Sequence, residues 1–126
     1  MDANHWRRMH NYKALKVWQE SRKIVQEVYI TTGDFPDSEK YGLISQMRTS
    51  AVSIPSNIAE GSGRSTDKDF SYFLNVALGS AYELQTLIYL SFDVSLIKEE
   101  KMSKLDAHLQ EIQKMIYGLI KSKRLK

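Results

Sequence analysis

The sequence contains no cysteine, which excludes disulfides, thiol catalysis and thiolate metal sites. It has only two prolines and six glycines in 126 residues, which leaves room for long regular elements. No apolar run approaches the roughly 18 residues that a membrane span requires, and the first residues lack the apolar core of a signal peptide. We therefore expect one cytoplasmic domain over residues 1–126 that does not contact membranes.

What the chain does contain is apolar residues and basic ends. Hydrophobic residues make up 42% of the sequence, which predicts a folded globule. The formal net charge of +3 allows a polyanionic partner without requiring one. Positive charge is concentrated in an N-terminal extension, residues 1–11, and in the basic tail "KSKRLK", residues 121–126.

Apolar residues recur with helical spacing in four segments, and no strand-like alternation competes with them. The segments are residues 12–32, 38–60, 67–92 and 98–124. Helices of this length joined by short turns pack as antiparallel neighbours. The sequence therefore predicts an all-α, antiparallel up-and-down four-helix bundle. In the first helix we expect the core face to be formed by Leu15, Trp18, Val25, Val28 and Tyr29.

Pro55 falls inside the second segment, where a proline removes a backbone hydrogen bond and costs about 3 kcal/mol. Ile54 and Ile58 nevertheless continue the apolar phase set by Met47 and Ala51. A break usually shifts that phase, so we expect one helix over residues 38–60 that bends at Pro55 instead of ending there.

Two stretches around this proline carry a family resemblance. "QMRTSAVSIPSNIAEGSGR" (46–64) and "FLNVALGSAYEL" (73–84) resemble the 23S ribosomal RNA intervening-sequence proteins. They are also similar to the accessory variability proteins of diversity-generating retroelements. The resemblance runs from residue 12 to about residue 120. It implies a four-helix bundle that forms a homopentamer with a central channel, without catalytic activity. The retroelement proteins bind nucleic acid and a reverse transcriptase.

The third segment is apolar on more than one face. Beside the core stripe, Leu78, Tyr82 and Tyr89 form a second row at spacings of four and seven residues. A bundle helix needs only one buried stripe, and tyrosine suits interfaces because it combines apolar area with a polar tip. We expect this row to form the contact between copies of the chain. Arg48 and Glu83 lie at similar levels of adjacent helices, which predicts an ion pair in the bundle or at the subunit contact.

Basic residues cluster near both ends of the chain, and the ends of a four-helix bundle meet on one side. Arg64 and Lys68 flank the start of the third helix, a candidate anion site. Phosphate attraction makes RNA or DNA a candidate partner. The alternative is a scaffold that binds a protein partner and no nucleic acid. The terminal candidates are Arg7, Arg8, Lys13, Lys16, Lys121, Lys123, Arg124 and Lys126.

Enzyme chemistry has little support in the sequence. A di-metal bundle uses Glu-x-x-His motifs, and none of His5, His10 and His108 follows a glutamate at that spacing. His108 lies among charged residues and is expected at the surface. We therefore predict no catalytic residue, no metal and no cofactor.

Overall fold

Four α-helices account for most of the chain in a computed structural model that describes residues 11–124. A short 3-10 turn, Tyr12–Ala14, precedes the first helix. The described residues contain no strand, so the all-α four-helix fold is confirmed. The helices are α1 (Lys16–Thr32), α2 (Ser45–Ser62), α3 (Asp67–Asp93) and α4 (Glu99–Arg124).

The helices form a closed ring of neighbours around one core. α1 packs on α2, α2 on α3, α3 on α4, and α4 returns to α1. One end of the bundle, called the proximal end below, therefore holds the start of α1 and the end of α4. The distal end holds the turns at 33–44 and 94–98. The fully buried large side chains at the centre include Ile24, Met47, Ile54, Leu74, Leu84, Leu109 and Ile116.

The core face of α1 differs from the one predicted. Val17, Ser21, Ile24 and Val28 are buried, whereas Tyr29 is 44% exposed. The prediction missed Val17 and Ile24 because the polar Ser21 interrupts the apolar stripe to which they belong. Ser21 enters the core at no hydrogen-bond cost, since its hydroxyl donates to the carbonyl oxygen of its own helix one turn earlier, at 2.9 Å. Trp18 and Val25 are consequently only half-buried.

α2 passes through Pro55 without ending, as predicted. Ser56 Oγ donates to the Val52 carbonyl at 2.8 Å, and Asn57 Nδ2 donates to the Ser53 carbonyl at 2.8 Å. These side-chain donors supplement the backbone ladder around the proline, which has no N–H of its own. The bend at Pro55 stays a prediction.

The start of the second helix is not continuous, contrary to the prediction for residues 38–60. A 3-10 turn, Asp37–Glu39, is followed by a π turn, Lys40–Ile44, before α2 begins at Ser45. Gly42 has φ −108° and ψ −113°, outside the regions that residues with a Cβ normally occupy. The chain therefore changes direction at a glycine, thirteen positions before the proline.

None of the helices in residues 11–124 combines the length and the apolar character that a bilayer crossing requires.

Candidate nucleic-acid interface

The proximal end brings together basic residues that are far apart in the sequence. Lys123 Nζ, near the end of α4, lies 3.9 Å from Asp67 Oδ1 at the start of α3. The same ammonium lies 5.1 Å from the ring centroid of Phe70. On the other side, Lys16 at the start of α1 lines a shallow cleft with Leu119 of α4. The two ends of the described chain therefore meet at one surface, as the topology predicts.

Several cations at this end are exposed to solvent. No ion pair within residues 11–124 involves them. Unpaired cations on one surface create a positive potential that attracts polyanions. These residues are Lys13, Lys16, Lys68, Lys121 and Arg124. The other terminal candidates, Arg7, Arg8 and Lys126, lie outside the described residues.

Arg64 has a local role that the sequence did not indicate. Its guanidinium pairs with Glu60 at 3.0 Å, one turn earlier. It also lies 4.6 Å from the ring centroid of Phe73 on α3. The contact spans the turn from α2 to α3, where Gly61 lets the two helices approach closely. Arg64 therefore stabilises this turn, and it is not one of the unpaired cations.

The candidate anion site at the start of α3, between Arg64 and Lys68, stays a prediction. Thr66 Oγ1 accepts a hydrogen bond from the Asp69 N–H at 3.1 Å, so the predicted N-cap is formed. Asp67 and Asp69 occupy the first turn and already place negative charge at the positive end of the helix dipole. Lys68 remains an exposed cation of the proximal end.

Arg48 does not pair with Glu83 within the described chain. Its Nε donates to Thr32 Oγ1 at 2.9 Å, and its Cζ lies 4.4 Å from the ring centroid of Tyr29. The intramolecular pair was wrongly predicted because the arginine reaches across to α1, while Glu83 is exposed on α3. A contact between Arg48 and Glu83 of different subunits stays a prediction.

Only part of the second apolar row of α3 is exposed to solvent. Leu78 packs against the core, whereas Tyr82 is 53% exposed and Tyr89 is 40% exposed. Exposed apolar side chains also occur outside the row predicted from spacing. They are residues on α3 and α4 that were not singled out in the sequence, namely Tyr72, Val76, Leu90 and Tyr117.

A polar network beside this row holds α3 against α4. Asp106 Oδ2 accepts hydrogen bonds from Tyr89 Oη and Gln110 Nε2, both at 2.9 Å. Asp106 Oδ1 accepts from Gln85 Nε2 at 2.7 Å. The hydrogen bond to the carboxylate raises the pKa of the Tyr89 hydroxyl. Only the spacing of Gln85 and Tyr89, one turn apart on α3, could have indicated this cluster.

The similarity of this chain to known proteins extends over the four-helix bundle. A family model described as 23S rRNA-intervening sequence protein matches residues 13–118. The chain belongs to this family. A solved structure from Bacteroides thetaiotaomicron, described as a protein of unknown function from the S23 ribosomal protein family, is similar to it. The two share 25% identity over 83% of this chain and 95% of that chain, with a TM-score of 0.76. No curated protein gives a match.

In this 23S rRNA-intervening sequence protein, the side chain of His108 is more buried than the sequence led us to expect. The His108 side chain is only 19% exposed, and its two ring nitrogens lie 3.1 Å from Glu20 Oε1 and 3.3 Å from Glu27 Oε2. The ring therefore links α4 to two carboxylates of α1. Among residues 11–124, no group of three or more histidines and carboxylates is arranged to hold a metal ion. His5 and His10 lie outside the described residues.

Proposed function

We propose that this 23S rRNA-intervening sequence protein is a non-enzymatic protein that binds RNA or DNA through its proximal end. The observation that supports this proposal is the gathering of exposed, unpaired cations from α1, α3 and α4 on one surface. They come from segments more than fifty residues apart, so the fold, and not local composition, concentrates the charge. The name of the family refers to ribosomal RNA.

The proposed binding is to the phosphate backbone and not to base edges. Lysine and arginine neutralise phosphates and release condensed counterions, which gives affinity without sequence information. Within residues 11–124, the proximal end combines four helix termini and offers no single helix to enter a groove. We therefore expect selection for nucleic-acid shape and charge density, with little dependence on base sequence.

Self-association is part of the proposal. α3 exposes several large apolar side chains, including Tyr72, Val76, Tyr82 and Leu90, of the kind that protein contacts cover. The resemblance to the intervening-sequence and retroelement proteins implies five copies. A ring of that kind repeats the proximal end around one axis, so that a single RNA can contact several positive surfaces at once.

A salt titration tests the proposal. Binding of a fluorescently labelled structured RNA and of a DNA duplex is followed by anisotropy, beginning at about 50 mM salt. We expect log affinity to fall linearly with log salt. The triple variant K16Q/K68Q/K121Q should bind more weakly and with a shallower slope. The slope should change by about 0.9 for each phosphate that is no longer neutralised on duplex DNA, and by about 0.7 on a single strand.

The matched control changes the same charge at the other end of the bundle. K40Q/K98Q/K101Q also removes three cations, but from the distal turns and the start of α4. It should retain the affinity and the slope of the unmodified protein. Equal losses in both variants, or no binding at the lowest salt, would contradict the proposal.

The exposed apolar surface also favours a second candidate, a scaffold that binds a protein partner. The scaffold candidate predicts that the protein is an oligomer by light scattering and that it binds neither nucleic acid at the lowest salt. The Y82E variant tests whether copies of the chain cover this surface. If they do, a charge there should lower the oligomer mass.

A further inference from the structure

We propose that a cleft at the distal end of the bundle binds a small amphipathic carboxylate, a molecule with one anionic group and an apolar body. The cleft lies between the last turn of α1 and the start of α4 and has a volume of about 430 Å³. Ligand pockets typically have roughly 300–1,000 Å³. It is at the opposite end from the proposed nucleic-acid surface, so this inference does not depend on that function.

The walls of the cleft are apolar. Ile30, on the last turn of α1, is 71% exposed and lines one side. Leu96 and Ile97, in the turn between α3 and α4, line the other side and are partly buried against the core. An isoleucine that projects this far into water gains stability when an apolar group covers it. The apolar body of the ligand fits this part of the cleft.

A buried hydroxyl without a partner lies in the same lining. Thr31 is 6% exposed, and its Oγ1 is the one buried side-chain nitrogen or oxygen within residues 11–124 that makes no hydrogen bond. The neighbouring Thr32, by contrast, donates to the Val28 carbonyl at 2.7 Å. Threonine in helices divides between two χ1 rotamers. Turning the Thr31 hydroxyl toward the cleft breaks no bond and supplies a donor to a carboxylate.

Two unpaired cations on the rim favour an anion. Lys98 and Lys101 line the cleft and form no ion pair within the described residues, whereas Lys104 is paired with Glu100 at 3.5 Å. The lining also holds two carboxylates: Glu100, and on the facing rim Asp34, which forms no ion pair within residues 11–124. The lysines therefore attract the anionic group, and Asp34 opposes it. This arrangement predicts changes of opposite sign when the two kinds of charge are removed.

The turn that carries the apolar wall has a defined conformation. Ser95 has φ 65°, a left-handed value that is uncommon for a residue with a side chain. The Leu96 N–H donates to the Ser91 carbonyl at 2.8 Å, which closes the turn onto the end of α3. Together with the bond from the Ser95 N–H to the Phe92 carbonyl at 2.9 Å, this is the common Schellman closure of a helix C-terminus. Leu96 and Ile97 are therefore held in place before a ligand arrives.

Octanoate, octanol and octylammonium test the proposal, since they share one apolar chain and differ in charge. Binding to the full-length protein is followed by amide chemical shifts and by calorimetry. We expect octanoate to bind most tightly and to shift amides of residues 30–34 and 96–104. K98Q/K101Q should weaken octanoate about five- to tenfold, and D34N should strengthen it about two- to fivefold. K68Q/K121Q at the proximal end should change nothing.

Thr31→Val tests the hydroxyl separately. Valine has nearly the same shape, and the free protein keeps all of its hydrogen bonds, so thermal stability should be retained or increased. Octanoate affinity should nevertheless fall. Equal affinity for octanol or octylammonium, shifts outside the cleft, or tighter octanoate binding by K98Q/K101Q would each overturn the proposal.

Discussion

The guanidinium of Arg48 on α2 lies over the ring of Tyr29 on α1, with its Cζ 4.4 Å from the ring centroid. Its Nε donates to Thr32 Oγ1 at 2.9 Å, and Nη2 donates to the Tyr29 carbonyl at 3.4 Å. Tyr29 is half exposed, so the arginine covers a ring that α1 does not bury. Arg48 was expected to contact α3, and it instead joins α2 to α1.

Replacing Arg48 tests this relationship. R48A removes the stacking and the hydrogen bonds between α2 and α1, and it should lower the free energy of unfolding by about 2 kcal/mol. Urea denaturation measures the change. E83A is the control, since Glu83 is exposed and forms no ion pair within residues 11–124, and it should change stability by less than about 0.5 kcal/mol. A comparable loss in E83A that depends on protein concentration would indicate an ion pair between subunits.

Because α2 and α3 pack closely at Gly61, adding one methyl group there should lower the stability of the bundle. A Cβ at Gly61 would lie 2.7 Å from Phe73 Cβ and 3.0 Å from Phe70 Cδ1. G61A should therefore destabilise the bundle by about 2 kcal/mol, because the helices must separate. G118A is the matched control in open space on α4 and should stabilise by about 0.5–1 kcal/mol. Thermal denaturation that ranks these variants in the reverse order would contradict the close packing.

The hydrogen bond from Tyr89 to Asp106 predicts a shift in tyrosine ionisation. The bond raises the pKa of Tyr89 above its ordinary value of 10.0. A raised pKa in the folded state means that this stabilisation is present below pH 10.0 and is lost as the pH rises through the folded pKa. In D106N the Tyr89 hydroxyl should titrate at lower pH, as ring carbon shifts would report. D93N, at the exposed end of α3, should leave the titration unchanged.

The Glu20 carboxylate predicts a loss of stability in acid. The hydrogen bond from Lys23 lowers the pKa of Glu20 below its ordinary value of 4.5, and His108 acts in the same direction against the effect of burial. The stabilisation is present above pH 4.5 and is lost as the pH falls through the folded pKa. E20Q should be less stable than the unmodified protein at about pH 7, and the difference should shrink toward about pH 3. A difference that grows in acid would refute this assignment.

The helices and their order were predictable because each carries an apolar stripe with the helical period. α3 and α4 begin and end within about one residue of the predicted positions. The stripe of α2 was also predicted, since Met47, Ala51, Ile54 and Ile58 are all buried. α1 was predicted in the wrong phase because Ser21 is a core residue whose hydroxyl is satisfied within its own helix.

The details of the candidate site were less predictable, because they depend on the direction of long side chains. Lysine and arginine can reach either neighbouring helix from one backbone position. Sequence spacing placed Arg48 level with Glu83, but not on the side where Tyr29 is available. It likewise placed Arg64 among the free cations, although Phe73 and Glu60 hold its guanidinium. Topology alone was enough to predict that the basic helix ends lie together at the proximal end of the bundle.

The uneven charge of the two ends has a kinetic consequence. At the distal turns and the start of α4, by contrast, the lysines Lys40, Lys98, Lys101 and Lys104 are offset by acidic side chains, namely Asp34, Asp37, Glu39, Glu99 and Glu100. The long axis of the bundle is therefore an electric dipole. For the proposed binding to phosphates, such a dipole would turn the protein before contact, so that more collisions begin with the proximal end forward. In a ring that holds these axes parallel, the dipoles of the subunits add.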